Sequence, residues 1–184
     1  MKEYIDSFAV FMSKEGQKSE NTISCYCRDV GKYMDFLGKN GITDIADTTK
    51  STVLTYLLFL QKEGRSASTV NRNLASLRSF YTYLTGNSIR TNDPTLNLEG
   101  PRNDRKPPRI LSTRDVERLL SAPDESGVNG IRDRAILEVM YATGIKVSEL
   151  VGLDVRDVNT GAGFLRCRGG VHERILPMGQ YAAA

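Results

Sequence analysis

Apolar residues in the first half of the chain recur at helical spacing in four successive segments. Ile5, Phe8, Ala9 and Met12 share one face of a segment from about Lys2 to Lys14. Tyr26, Val30, Tyr33 and Leu37 make a stripe within a second segment, about Ser19 to Leu37. A third runs from about Thr49 to Lys62. The fourth, about Ser66 to Thr85, carries the cleanest stripe: Val70, Leu74, Leu77, Tyr81 and Leu84. Gly16, Gly38, Gly64 and Gly86 punctuate these segments, each placed to close a last turn in the left-handed conformation. Four amphipathic helices with short connections can bury one common core. Residues 1–98 are therefore expected to form a helical bundle.

The pattern then breaks. "EGPRNDRKPPRI", Glu99 to Ile110, holds three prolines and a glycine, which forbid a continuing helix. It reads as an interdomain linker over residues 99–110. Its basic residues, Arg102, Arg105 and Lys106 among them, either solvate an exposed segment or make a strap for phosphates. Residues 111–184 resume with Ser112 as an N-cap and Asp115 three positions on. One helix is expected to about Ser121, another from about Gly130 to Thr143, ended by Gly144. A short helical turn follows from about Lys146 to Val151. "GFLRCR" and "HERILPMG" read as two strands joined at Gly169 and Gly170, a β-hairpin.

Composition narrows the function classes. The 184 residues are 40% apolar and 26% charged, with a formal net charge of +3. This suits one or two small folded domains and argues against disorder. Nucleic-acid binding is permitted by that charge and not required. Three cysteines, Cys25, Cys27 and Cys167, with no CxxC pair, argue against a disulfide framework and against a zinc site. A reducing cytoplasm is the expected location. The N-terminus lacks the apolar core of a signal peptide, and no apolar run approaches a membrane span.

In the order and spacing of its motifs the chain resembles the tyrosine recombinase (phage integrase) family, above all the bacterial Xer type. "NTISCYCRDVGKYMDFL" and "SASTVNRNLASLRSFYTYL" resemble the DNA core-binding domain. "ILSTRDVERLL", "RDRAILEVMYATGIKVSELVGL" and "HERILPMG" resemble the start of the catalytic domain. The resemblance implies a mainly α fold: a four-helix SAM-like core-binding bundle, then an incomplete α+β catalytic domain with a β-hairpin. It also implies cofactor-free chemistry on double-stranded DNA, with other recombinase subunits as partners and neither metal nor membrane involved. In the family a tyrosine attacks the phosphate, two arginines hold its oxygens and a hairpin lysine protonates the leaving hydroxyl.

Against that pattern the chain departs. The family's TG-x-R-x-SEL box reads "TGIKVSEL", so Lys146 stands at the first arginine position. Lysine keeps the charge but lacks the planar fork that grips phosphate in two places. Lys146 either pairs with Glu149 one turn on, or marks drift or deliberate inactivation of a phosphate clamp. Glu149 matches the acid that orients the family's arginine. The hairpin lysine aligns with Gly169 or Gly170. Arg168 beside it is a poor acid, because guanidinium holds its proton at neutral pH. His172 is either a titratable group or a plain hairpin residue. The family's His-x-x-Arg box, second histidine or tryptophan, and nucleophile follow this region. Tyr181 comes directly after the hairpin and is not assigned the nucleophile's role. The chain is thus expected to be catalytically incompetent.

DNA binding is expected to survive. The resemblance turns the second and fourth helices toward the major groove. Their polar faces offer Asn21, Thr22, Cys25, Arg28 and Lys32, then Ser68, Asn71, Arg72, Ser76 and Arg78, with Arg65 just ahead. Small polar residues interleaved with arginines suit phosphates and base edges. Three readings stay open: a DNA-binding protein derived from a recombinase, a fragment of an active recombinase, and a module that modulates an intact one.

Overall fold

A computed structural model describes residues 2–14, 18–102, 107–168 and 173–183. The chain divides into two compact units, Met1–Lys106 and Pro107–Ala184.

The first unit contains α1 (Lys2–Lys14), α2 (Glu20–Lys39), α3 (Lys50–Lys62) and α4 (Ala67–Gly86). Ser19, Thr49 and Ser66 cap the last three, each side-chain oxygen accepting an amide from Thr22, Thr52 or Thr69. Each such cap contributes about 1 kcal/mol. Every residue of the α4 stripe is buried, as are Val30, Tyr33 and Leu37 of α2 and Phe8 and Met12 of α1. Phe8, Phe80 and Tyr83 pack as an aromatic cluster within this core. α4 packs against all three other helices.

Two of the expected helix-closing glycines are displaced. Gly38 lies inside α2, and the left-handed residue is Gly41, at φ 75°. Gly86 is the last residue of α4, and Ser88 takes the positive φ. Gly64 does adopt φ 74°. Gly16 lies outside the described residues.

A buried polar network joins the α2–α3 connection to the segment after α4. The Tyr33 and Tyr81 hydroxyls are 2.9 Å apart, and Thr48 Oγ1 is 2.8 Å from Tyr81. Arg90, nearly buried, donates to the carbonyls of Ile45, Ala46 and Thr48 and to the Thr48 hydroxyl. Burial holds the Tyr33 phenol well above its ordinary range.

The second unit holds α5 (Thr113–Leu120), α6 (Val128–Thr143), α7 (Val147–Val151), a three-stranded antiparallel sheet and α8 (Gln180–Ala183). Ser112 and Asp115 cap α5 reciprocally. Gly144, at φ 62°, ends α6. The expected strands are β2 (Phe164–Cys167) and β3 (Arg174–Pro177), paired Leu165 to Leu176 and Cys167 to Arg174. A short β1 (Val158–Asn159), absent from the sequence reading, pairs with β2. Gly169, Gly170 and His172 lie outside the described residues. Ile145, Leu165, Cys167 and Met178 make a small core. Neither α5 nor α6 has a fully buried residue.

Candidate nucleic-acid interface and phosphate site

In the first unit, α2 packs against α4. Lys18, just before α2, meets Ser79, while Asp29 further along meets Ser76 and Arg72. The predicted polar residues divide into three groups. Asn21, Arg28 and Lys32 on α2, Ser68 on α4, and Arg102 are exposed. Among the described residues, neither Arg28 nor Lys32 makes an ion pair. Cys25, on the same side of α2, is half-buried.

The second group is occupied, its members exposed or half-buried. Arg72 lies 3.2 Å from the buried Asp29 carboxylate, with its own side chain 41% exposed. Arg78 donates to the Leu98 carbonyl. Asn71 donates to the Pro101 carbonyl at 2.9 Å, half-buried under the segment that follows the bundle. Thr22 belongs to the cap of α2, its hydroxyl 3.0 Å from that of Ser19.

Ser76 corrects the sequence reading. Expected on the exposed face, it is fully buried, and its hydroxyl donates to Asp29 Oδ2 at 3.1 Å. The reason is the central position of α4. Three helices surround it, so Asn73, Ser76 and Phe80 extend its buried arc beyond the apolar stripe. Arg105 and Lys106 lie outside the described residues.

Arg72 also borders a groove of about 910 Å³ between α2, α3 and α4, lined in addition by Lys32, Lys39, Arg65 and Thr69. Asp35 and Glu63 share its wall, so the groove is mixed in charge with a cationic excess. Its floor is aromatic, from Tyr56, Phe36 and Phe59. Burial raises the Tyr56 phenol, which donates to Asn73 Oδ1 at 3.1 Å.

The second unit carries the phosphate-site candidate. Buried Ile145 anchors the box that begins at Gly144. Lys146 precedes α7 with an exposed side chain, and its backbone amide donates to Glu149 Oε2 at 3.0 Å. The expected link between Lys146 and Glu149 therefore runs through the backbone and not through the ammonium. The Glu149 carboxylate is taken by Arg174, which donates Nη1 to Oε1 at 2.9 Å and Nη2 to Oε2 at 2.7 Å. This two-point grip, helped by the Lys146 amide, holds the Glu149 carboxyl down to about 2. Arg174 opens β3 opposite Cys167, so the hairpin is fastened to α7 beneath Lys146. Arg168 lies 2.5 Å from the buried Asp157 carboxylate, so its charge is spent inside the unit. Tyr181, in α8, is 90% exposed.

Two residues at these sites were missed by sequence reasoning. Asp29 sits between Tyr26 and Tyr33 on the inward side of α2, and a carboxylate there demands a partner. Arg174 stands in a strand whose alternate residues face opposite ways, and the acid it meets is 25 residues away. Among the described residues no group of histidines, cysteines or carboxylates could hold a metal ion.

Comparison with known proteins fits both units. Residues 5–87 match the model of the phage integrase N-terminal SAM-like domain, and residues 109–184 match that of the phage integrase family. The chain is 40% identical over 185 residues to tyrosine recombinase XerD of Oceanobacillus iheyensis, an alignment covering 99% of this chain and 62% of that protein. A putative tyrosine recombinase of Caldanaerobacter subterraneus subsp. tengcongensis is 37% identical over 98% of this chain and 61% of its own length. The chain thus spans about three fifths of the length of these curated relatives. In fold it is similar to a lambda integrase in a tetramer bound to a Holliday junction: TM-score 0.71 at 17% identity, over 95% of this chain and 49% of that one. The two domain matches and the whole-chain likeness to Xer proteins agree with the box around Lys146, and the chain belongs to the phage integrase family of tyrosine recombinases, as an Xer-like member.

Proposed function

We propose that this chain is the DNA-gripping and phosphate-site portion of a site-specific recombinase subunit, acting on double-stranded DNA in the cytoplasm beside other recombinase subunits. On this reading the first unit holds the duplex through the faces of α2 and α4. The second presents Lys146 to the phosphate where the family presents arginine. The observation that carries the reading is the frame around Lys146: Ile145 buried below, Glu149 bound to its amide, and Arg174 locking Glu149 to the hairpin. A cation placed on so fixed a frame is suited to stabilising a phosphate. Lysine there offers a single point of charge and not a fork. Residues 1–184 on their own are therefore expected to bind duplex without cleaving it.

The intact frame favours a second reading, a fragment of an active recombinase that cleaves and rejoins strands with Lys146 as its single-charge phosphate clamp. A nicked duplex substrate separates the two. The first reading expects no covalent protein–DNA band on a denaturing gel, including with Lys146→Arg, because a restored fork supplies no nucleophile. A band abolished by Tyr181→Phe would overturn it.

Binding itself is tested by fluorescence anisotropy across a salt series. Affinity is expected to fall steeply with salt, log K against log salt having a slope of about −0.9 per phosphate neutralised. Replacing Arg28 and Lys32 by alanine should flatten that slope by about two such steps. Replacing Lys50 and Lys62 should leave it unchanged. Equal effects from the two pairs would place the duplex on another face.

A further inference from the structure

Among the described residues Arg28 and Lys32 form no ion pair and stand exposed, whereas Arg72 is tethered. Asp29 is fully buried, and its two oxygens have different partners: Ser76 on Oδ2 at 3.1 Å, and the Arg72 guanidinium 3.2 Å from Oδ1. A buried carboxylate needs a cation, and among the described residues Arg72 is its only one. Asp29 thus tethers one end of the guanidinium by charge, through a single 3.2 Å contact that is not aligned as a hydrogen bond. Arginine carries five N–H donors in a rigid plane, so donors on the other edge remain unused. The side chain is 41% exposed and borders the cationic groove between α2, α3 and α4.

From this we infer that Arg72 is a base-reading, specificity-determining residue, that Asp29 is its positioning residue, and that Arg28 and Lys32 are phosphate contacts. The inference rests on the DNA-binding reading above. Its physical basis is a separation of charge from geometry. The Asp29–Arg72 pair has no net charge, so it adds little to counterion release and to the salt dependence of binding. What it offers is a planar set of donors tethered at one end beside the groove. That arrangement suits two acceptors on one base edge, such as O6 and N7 of guanine. A phosphate contact needs no such tether, because it carries no sequence information.

The roles predict opposite signs in one experiment. The 184-residue chain is first used to enrich binders from a pool of duplexes with a randomised core. Affinity for the enriched duplex is then compared with that for a scrambled one, across salt. Arg72→Lys keeps the charge and the pairing to Asp29 but loses the fork. It should lower the ratio of the two affinities by about tenfold and leave the salt slope unchanged. Asp29→Asn frees the Arg72 charge and its rotation. It should lower the same ratio while strengthening binding to the scrambled duplex and steepening the slope by about 0.9. A merely structural role for Asp29 would instead weaken both duplexes together. Arg28→Ala should flatten the slope by about the same amount with the ratio retained.

If the unaltered chain fails to bind duplex, the DNA-binding reading falls and this assignment with it. Three outcomes would overturn the assignment alone: binding with no sequence preference, a ratio unmoved by Arg72→Lys, or an Asp29→Asn variant that weakens binding to both duplexes equally. Thermal unfolding of each variant accompanies the titrations. Arg72→Lys, which keeps the ion pair, decides the question should Asp29→Asn fail to fold.

Discussion

Glu149 carries an interaction whose strength depends on charge at both ends. Its carboxyl is held down to about 2 by Arg174 and the Lys146 amide, against an ordinary value near 4.5. A depressed folded-state value contributes stability that is complete above the unfolded value. That stability drains away as pH falls from about 4.5 through about 2. The second unit should therefore loosen in this acid window, and Glu149→Gln should weaken the pH dependence there. Tyrosine fluorescence or near-ultraviolet dichroism against pH reads it, and an unchanged acid profile in Glu149→Gln would refute the assignment. The sequence placed Glu149 beside the altered box but not Arg174 upon it. A local motif shows which residues share one turn of helix, whereas the partner arrives from a strand whose position depends on the fold of the whole unit.

At the scale of elements, periodicity carried most of the information. Each stripe in the first half became a helix facing the core, since a stripe of that spacing has one low-energy way to leave water. The cap of α5 at Ser112 was legible, and the segment starts at Ser19, Thr49 and Ser66 prove to be the caps of α2, α3 and α4. Two things were not legible. The displaced positive-φ residues at Gly41 and Ser88 show that each helix continues until its packing ends, past the first available glycine. Nor does the bundle stop at residue 98. Arg78 holds α4 to Leu98, and Asn71 fastens the segment beyond it at Pro101. Gly100 makes the second fastening possible, because a Cβ there would come 1.7 Å from Asn71 Oδ1. Gly100→Ala should displace the Asn71 amide and cost about 1 kcal/mol, the worth of one hydrogen bond. In a double-mutant cycle followed by thermal unfolding, adding Asn71→Ala should then cost little more. Full additivity would show that the two residues are not coupled.

The two units differ sharply in how much they bury. The first owns a continuous core that includes Tyr33, Tyr56, Tyr81, Phe8 and Phe80, all essentially inaccessible. Among the described residues the second has four buried apolar side chains, while Val128, Val151 and Val155 stand more than three-quarters exposed. Stability follows buried apolar area, so the second unit should open first. Residues 107–111 are exposed and outside any helix or strand. Brief trypsin treatment should cut at Arg109, next to Ile110 at 88% exposure, and then degrade the second unit while sparing the bundle. A bundle digested as fast would show that its core is not independent. Patterning in the sequence announced the first unit's core, whereas the exposed faces of α5 and α6 could be seen only once their surroundings were known.

The cysteines give this architecture a chemical readout. Cys167 is sealed beside the Arg174–Glu149 pair. Burial, and then the Asp6 carboxylate, push the Cys27 thiol above its ordinary range and slow its reaction. Cys25 lies three residues from Arg28, on the side of α2 assigned to the duplex. Under brief alkylation the folded chain should label first at Cys25, with Cys27 slower and Cys167 last. Bound duplex should shield Cys25, so the rate at one sulfur atom reports occupancy of the face in the native sequence, with no tag or engineered probe.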